Sequence, residues 1–124
     1  LRLVQEIGDE AVGVCLDTMN SVLLLERPLE TVRALAPHVL SVHLKDFRTE
    51  KHPEEFRVYG VPLGDGLLEV AAVLRALQPH RRQPSLHVEL YVGRKQDCAA
   101  TRSWEDECVL RSAACLQRVL AELS

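Results

Sequence analysis

No apolar run in this chain is long enough to cross a bilayer. The VLLL stretch from Val22 falls far short of the roughly 20 residues a spanning helix needs, and the first residues lack the charged-then-apolar pattern of a signal peptide. Four cysteines are present, Cys15, Cys98, Cys108 and Cys115, but never in CxxC or finger spacing. That argues against the common zinc and dithiol motifs and favours reduced, structural thiols over a disulfide framework. An extended basic face is missing too. Net charge is −3, and the one basic cluster, His80, Arg81 and Arg82, is too small for a phosphate backbone. Repeats, low-complexity runs and linkers are absent. What remains is 124 residues with 47% hydrophobic and 27% charged composition, ordinary for one soluble unit. The expected setting is cytosolic, without membrane or nucleic-acid partners.

Within that ordinary composition, three apolar stretches alternate in phase: VGVCLDTMN from Val12, VLSVHLKD from Val39 and LHVELY from Leu86. Side chains along a strand point to opposite faces with period two. One face therefore carries Val12, Val14 and Leu16, then Leu40, Val42 and Leu44, then Leu86, Val88 and Leu90. The other carries Cys15 and Asp17, Ser41, His43 and Lys45, and His87, Glu89 and Tyr91. Two carboxylates and one imidazole, Asp17, Glu89 and His43, are a donor set suited to a divalent metal. Half-solvated antiparallel strands would show the same alternation, so the connections decide between the two.

Those connections read as helices. In ERPLETVRALAPH, Pro28 suits a first helical turn, and Leu29, Val32 and Leu35 share a helical face. Leu67, Val70, Ala71, Leu74 and Leu77 repeat at helical spacing before the third strand. After it, Ser103 and Asp106 resemble a capping box, and Val109, Ala113, Leu116, Leu120 and Leu123 form an apolar stripe. Leu1, Val4 and Ile7 lie on a leading helix ended by Gly8. Strands joined through helices run parallel, and helices cover parallel sheets. The predicted fold class is α/β, with parallel strands alternating with helices. Open edges, a leading helix with no strand before it and a first residue other than Met make residues 1–124 read as a fragment, the C-terminal part of a (β/α)8 barrel, which typically needs about 250 residues.

These segments resemble the xylose-isomerase-like TIM barrels, a superfamily of sugar phosphate isomerases and epimerases, inosose dehydratases and the endonuclease IV group. CLDTMN is similar to the strand that ends in a metal-binding aspartate, SVHLKDF to the next strand with its ligand histidine, YGVPLGDGLLEV to the glycine-rich segment before the penultimate helix, and LHVELY to the final strand with its ligand glutamate. The resemblance implies that Asp17, His43 and Glu89 bind a divalent cation, manganese, magnesium, cobalt or zinc. A fourth ligand, a glutamate on the preceding strand, would lie before Leu1. Asn20 stands where many epimerases and endonuclease IV proteins carry a second histidine, a departure that counts against the trinuclear zinc enzymes.

The implied activity is sugar or sugar-phosphate isomerisation or epimerisation by proton transfer beside a carbonyl, through an enediolate, in the full-length parent. Glu89 would be metal ligand and proton carrier at once. Asn20, Lys45 and Arg48 are the candidate substrate-binding residues. For Lys45 an ion pair with a neighbouring carboxylate is the competing reading. Asp46 and Arg48 lie just beyond a strand end, where surface charge is the default; Tyr91 is similarly placed. Gly60, Gly64 and Gly66 suit tight turns better than phosphate, since no P-loop lysine follows. His87 reads as a core histidine or one that supports the ligands. Partners would be a small sugar or polyol-derived substrate, with a homo-oligomer of the full-length protein allowed. The rivals are an inosose dehydratase-like lyase and a metal-free remnant or interaction module.

Overall fold

The alternating segments pair as a parallel sheet. In the computed structural model, which describes residues 1–80 and 83–124, β1 (Val14–Asp17), β2 (Val39–Leu44) and β5 (Ser85–Val88) lie side by side in the order β1, β2, β5. Arg81 and Arg82 of the basic cluster lie outside the described residues. The register puts Asp17 opposite His43 and His43 opposite His87, and the Glu89 N–H extends the pairing by donating to the Leu44 carbonyl at 3.1 Å. Because the side-chain period is two, Lys45 and Glu89 fall one pleat further along the same face.

The opposite face is the core. Leu16, Val42 and Leu44 are buried there with Val32 and Ala36, and with Val70, Val73, Leu74 and Leu77; Val39 joins the same core from the start of β2, where the pairing with β1 shifts register. Burying one Leu or Val side chain contributes about 1.5–3 kcal/mol, so this layer fixes which face of the sheet looks outward. Val32 belongs to α3 (Pro28–Leu35), which opens on Pro28 as its sequence implies. The leading helix α1 (Arg2–Ile7) stops at Gly8, whose φ of 63° is a left-handed conformation that only glycine adopts at little cost. A short α2 (Asn20–Leu23) follows β1.

The structure departs from the sequence reading in four places. First, an antiparallel hairpin, β3 (Asp46–Lys51) and β4 (Phe56–Val61), is inserted between β2 and the helix α4 (Val70–Leu77). Its charged strands carry little apolar alternation, which is why the periodicity passes over them. Second, Leu67 is not part of α4; it is 59% exposed and its N–H donates to the Phe47 carbonyl. Third, α5 (Cys98–Leu123) starts five residues before Ser103, capped by the Asp97 carboxylate, which accepts from the Ala100 N–H at 2.8 Å. An N-cap needs a non-helical backbone, which Asp97 has and Ser103 does not. The buried face of α5 is also rotated: Cys108, Ser112, Cys115 and Val119 face inward, Leu116 and Leu123 of the expected stripe pack against the core partly buried, and Val109 and Leu120 are exposed. Small side chains let the helix lie close to the 62–66 loop, where the Ser112 hydroxyl accepts from the Leu63 N–H at 2.9 Å.

The fourth departure is Asp46. It is 3% exposed, not a surface charge. One of its oxygens accepts from the Phe47 and Leu68 N–H groups at 2.8 and 2.9 Å, the other from the Gly64 and Gly66 N–H groups at 2.9 Å each. The glycines serve this turn: Gly64 has φ of 94°, and a Cβ on Gly66 would collide with the Asp46 carboxylate. Among the described residues no helix is long and apolar enough to cross a membrane. All four cysteines are free thiols, and burial pushes the Cys108 thiol up from its ordinary pKa. Because Asp46→Ala would orphan buried N–H groups, it is expected to lower unfolding free energy by about 3 kcal/mol or more, read from urea denaturation, with Asp46→Asn losing less.

Candidate functional site

Asp17 ends β1, and the backbone that follows turns back on it. Its Oδ1 accepts from the Met19 N–H at 3.0 Å and the Asn20 N–H at 3.3 Å, so the carboxylate initiates the α2 turn. Oδ2 is left facing Lys45, 2.8 Å from Nζ. The same ammonium lies 2.9 Å from Glu89 Oε1, and Glu89 Oε2 lies 2.8 Å from His43 Nδ1. Asp17, Lys45, Glu89 and His43 thus form one connected chain of charge-assisted contacts across three strands. The Lys45 and Asp17 side chains are 15% and 13% exposed, those of His43 and Glu89 39% and 45%. The inner pair is therefore desolvated and the outer pair meets solvent. The hydrogen-bonded Asp17 carboxylate raises the Lys45 pKa above its ordinary value; burial opposes this and Glu89 reinforces it.

Two buried devices hold Lys45 in line. The Thr18 hydroxyl donates to the Lys45 carbonyl at 2.8 Å and accepts from the Lys45 N–H at 2.9 Å, while the Thr18 N–H donates to the His43 carbonyl at 3.2 Å. Thr18 is 1% exposed and so stitches the end of β1 to the end of β2 inside the core. On the other side stands Asp46 with its four backbone donors. Neither residue was singled out as structural by the sequence, although Thr18 directly follows the Asp17 that motif-reading picked. A hydroxyl beside a strand-end carboxylate was the available signal.

The chemistry of the donor set fits a divalent cation. Asp17, His43 and Glu89 each offer a donor atom, and these lie within 4.8 Å of one another. The two carboxylates already require a positive charge between them, which Lys45 supplies. Of the two roles read for Lys45 from the sequence, the structure contains the ion pair with neighbouring carboxylates. Asn20 adjoins the cluster through its backbone N–H on Asp17, with an exposed side chain. Arg48 is not drawn into the cluster; its Nε donates to the Asp65 carbonyl at 2.8 Å on the 62–66 loop. His87 stands edge-on to the His43 ring, with centroids 5.8 Å apart at 77°, and its Nε2 lies 3.0 Å from the Ser85 hydroxyl. It is exposed, so it supports the His43 ring from solvent rather than from a core.

The sequence of these segments is similar to that of known proteins. The chain is 32% identical over 108 residues to a 3-oxo-isoapionate decarboxylase of Pectobacterium atrosepticum, an alignment that covers 86% of this chain. The chain spans 39% of that relative's length. The profile of the xylose isomerase-like TIM barrels matches residues 1–113, which include β1, β2, β5 and every residue of the Asp17, His43, Lys45 and Glu89 cluster. On that match, and with its parallel strands alternating with helices, the chain belongs to the xylose isomerase-like TIM barrel family.

Proposed function

We propose that residues 1–124 supply three strand–helix units of a (β/α)8 barrel whose site forms an enediolate from a sugar or polyol-derived carbonyl compound. The observation that carries this reading is the convergence of Asp17, His43 and Glu89 donor atoms within 4.8 Å. They meet at the C-terminal ends of adjacent parallel strands, the end where barrel active sites lie. These residues would hold a divalent cation, which when bound supplies a Lewis acid for the carbonyl oxygen and charge for the oxyanion beside it. Glu89 is the proton carrier. Its half-exposed carboxylate can reach a substrate while Asp17, turned into the α2 cap, cannot move without breaking two backbone hydrogen bonds. In isomerisation or epimerisation Glu89 takes the proton from the carbon next to the carbonyl, the C–H pair becomes the enediolate, and a proton returned to a neighbouring carbon or to the other face completes the reaction.

A second reading is favoured by the relative's activity. In a 3-oxo acid the bond between the carboxylate and the carbon beside the carbonyl can break instead. Carbon dioxide leaves, the electron pair stays as the same enolate, and the site needs only an acid to protonate carbon. Both routes place negative charge on the same oxygens, so one cluster serves either. Carbon dioxide release from a 3-oxo sugar acid, set against solvent-deuterium exchange in a ketose panel, separates them.

In the whole protein, Asp17→Ala, His43→Ala and Glu89→Ala are each expected to lower bound manganese or zinc, because each removes a donor that a strand end fixes in place. Elemental analysis reads this directly, and unchanged metal content in all three variants would remove the cation from the mechanism. Glu89→Gln keeps the size and an oxygen donor but not the basic carboxylate. Exchange of the substrate's α-hydrogen with deuterium should fall by about 10²-fold, with less metal lost than in Glu89→Ala. Wild-type exchange in a metal-loaded Glu89→Gln protein would transfer the proton-carrying role elsewhere.

A further inference from the structure

Lys45 occupies the place where the charge of a metal ion would be needed. Its Nζ is 2.8 Å from Asp17 Oδ2 and 2.9 Å from Glu89 Oε1, and these two carboxylates belong to the donor set that converges with His43. Three positive charges, one from an ammonium and two from a divalent cation, cannot all stay in contact with the same two carboxylates without strong repulsion at this separation. We propose that Lys45 is the resident cation of the metal-free site and that a divalent cation enters by exchange, taking the carboxylate oxygens and releasing the ammonium from both. This rests on the metal reading above.

The geometry around Lys45 suits exchange better than fixed occupancy. Its backbone is held on both sides, by Thr18 at its own N–H and carbonyl and by the buried Asp46 that follows it. The strand therefore does not have to move. Only the flexible four-carbon stem does, and a lysine ammonium is a point charge on a rotatable chain, not a bidentate fork locked to its partners. Glu89 is 45% exposed, so a hydrated cation has an approach from the solvent side of the cluster while Lys45 shields Asp17 on the inner side. Once displaced, the ammonium remains on the same sheet face, where it would meet an anionic group of a substrate such as the carboxylate of a sugar acid. The metal-free protein in turn avoids leaving two partly buried carboxylates without a counter-charge.

The test is manganese titration calorimetry on the whole protein and its Lys45→Met variant, together with a crystal structure of the manganese-loaded wild type. Methionine keeps the length of the stem and removes the competing charge, and Lys45→Gln serves as a second variant if Lys45→Met is poorly soluble. Exchange predicts that both proteins bind manganese, that the variant binds it at least about tenfold more tightly, and that in the loaded wild type Lys45 Nζ lies beyond hydrogen-bond reach of Asp17 and Glu89. Equal or weaker affinity in the variants overturns the proposal. So does a loaded structure in which Nζ keeps both contacts. Binding by the variants but not the wild type would make Lys45 a permanent replacement for the metal, and overturns exchange as well. If neither wild type nor variant binds manganese or zinc, the metal reading itself fails, an outcome distinct from the others.

Discussion

Two carboxylates, Asp17 and Glu89, meet on a sheet face because a positive charge lies between them. Without it, Asp17, whose side chain is 13% exposed, would face Glu89 across β2 with only the Met19 and Asn20 N–H groups to offset its charge. The cost of an uncompensated charge in such a place exceeds what most single contacts contribute. The rest of the fold can be read as the means of keeping that arrangement in register. The apolar face of the sheet turns the polar face outward. The parallel pairing sets Asp17, His43 and His87 in one row, with Lys45 and Glu89 one pleat beyond.

Register alone would leave the strand ends free to fray, since each strand stops at or beside its functional residue. The chain prevents this with side chain to backbone hydrogen bonds. Thr18 closes the gap between β1 and β2 from inside the core, and Asp46 gathers the 62–66 loop beneath the peptide that follows Lys45. That loop is fixed in turn by α5, through Ser112 on the Leu63 N–H and through Arg111, which pairs with both Asp65 and Glu107. A helix far along the chain thereby reaches the strand end that carries the cluster.

How much of this was legible depends on whether burial or hydrogen bonding does the positioning. Strands β1, β2 and β5 were visible because Leu16, Val42, Leu44 and Val88 alternate with polar residues, and hydrophobic period is the strongest signal a single sequence carries. Asp17, His43 and Glu89 were visible for the same reason, as polar residues in phase on apolar strands. The hairpin was not. Asp46 begins it, and what buries Asp46 is backbone donors that come from 18 to 22 residues away, which no local pattern records. The inward face of α5 escaped for a related reason: Cys108 and Ser112 earn burial by being small and, in Ser112, by a hydrogen bond, whereas Val109 and Leu120 carry the hydropathy and remain exposed.

The two reactions considered for this site differ in which bond breaks and agree in where the charge goes. Choice between them must therefore come from groups that grip the rest of the substrate rather than from the cluster. Arg48, expected from the sequence to be one such group, is hydrogen-bonded within the fold. It rises from β3, is tethered to the Asp65 carbonyl, and Asp65 is itself held by Arg111 of α5. The hairpin and its anchor on α5 thus hold Arg48 apart from the cluster, and Asp17, His43, Lys45 and Glu89 make their contacts without it.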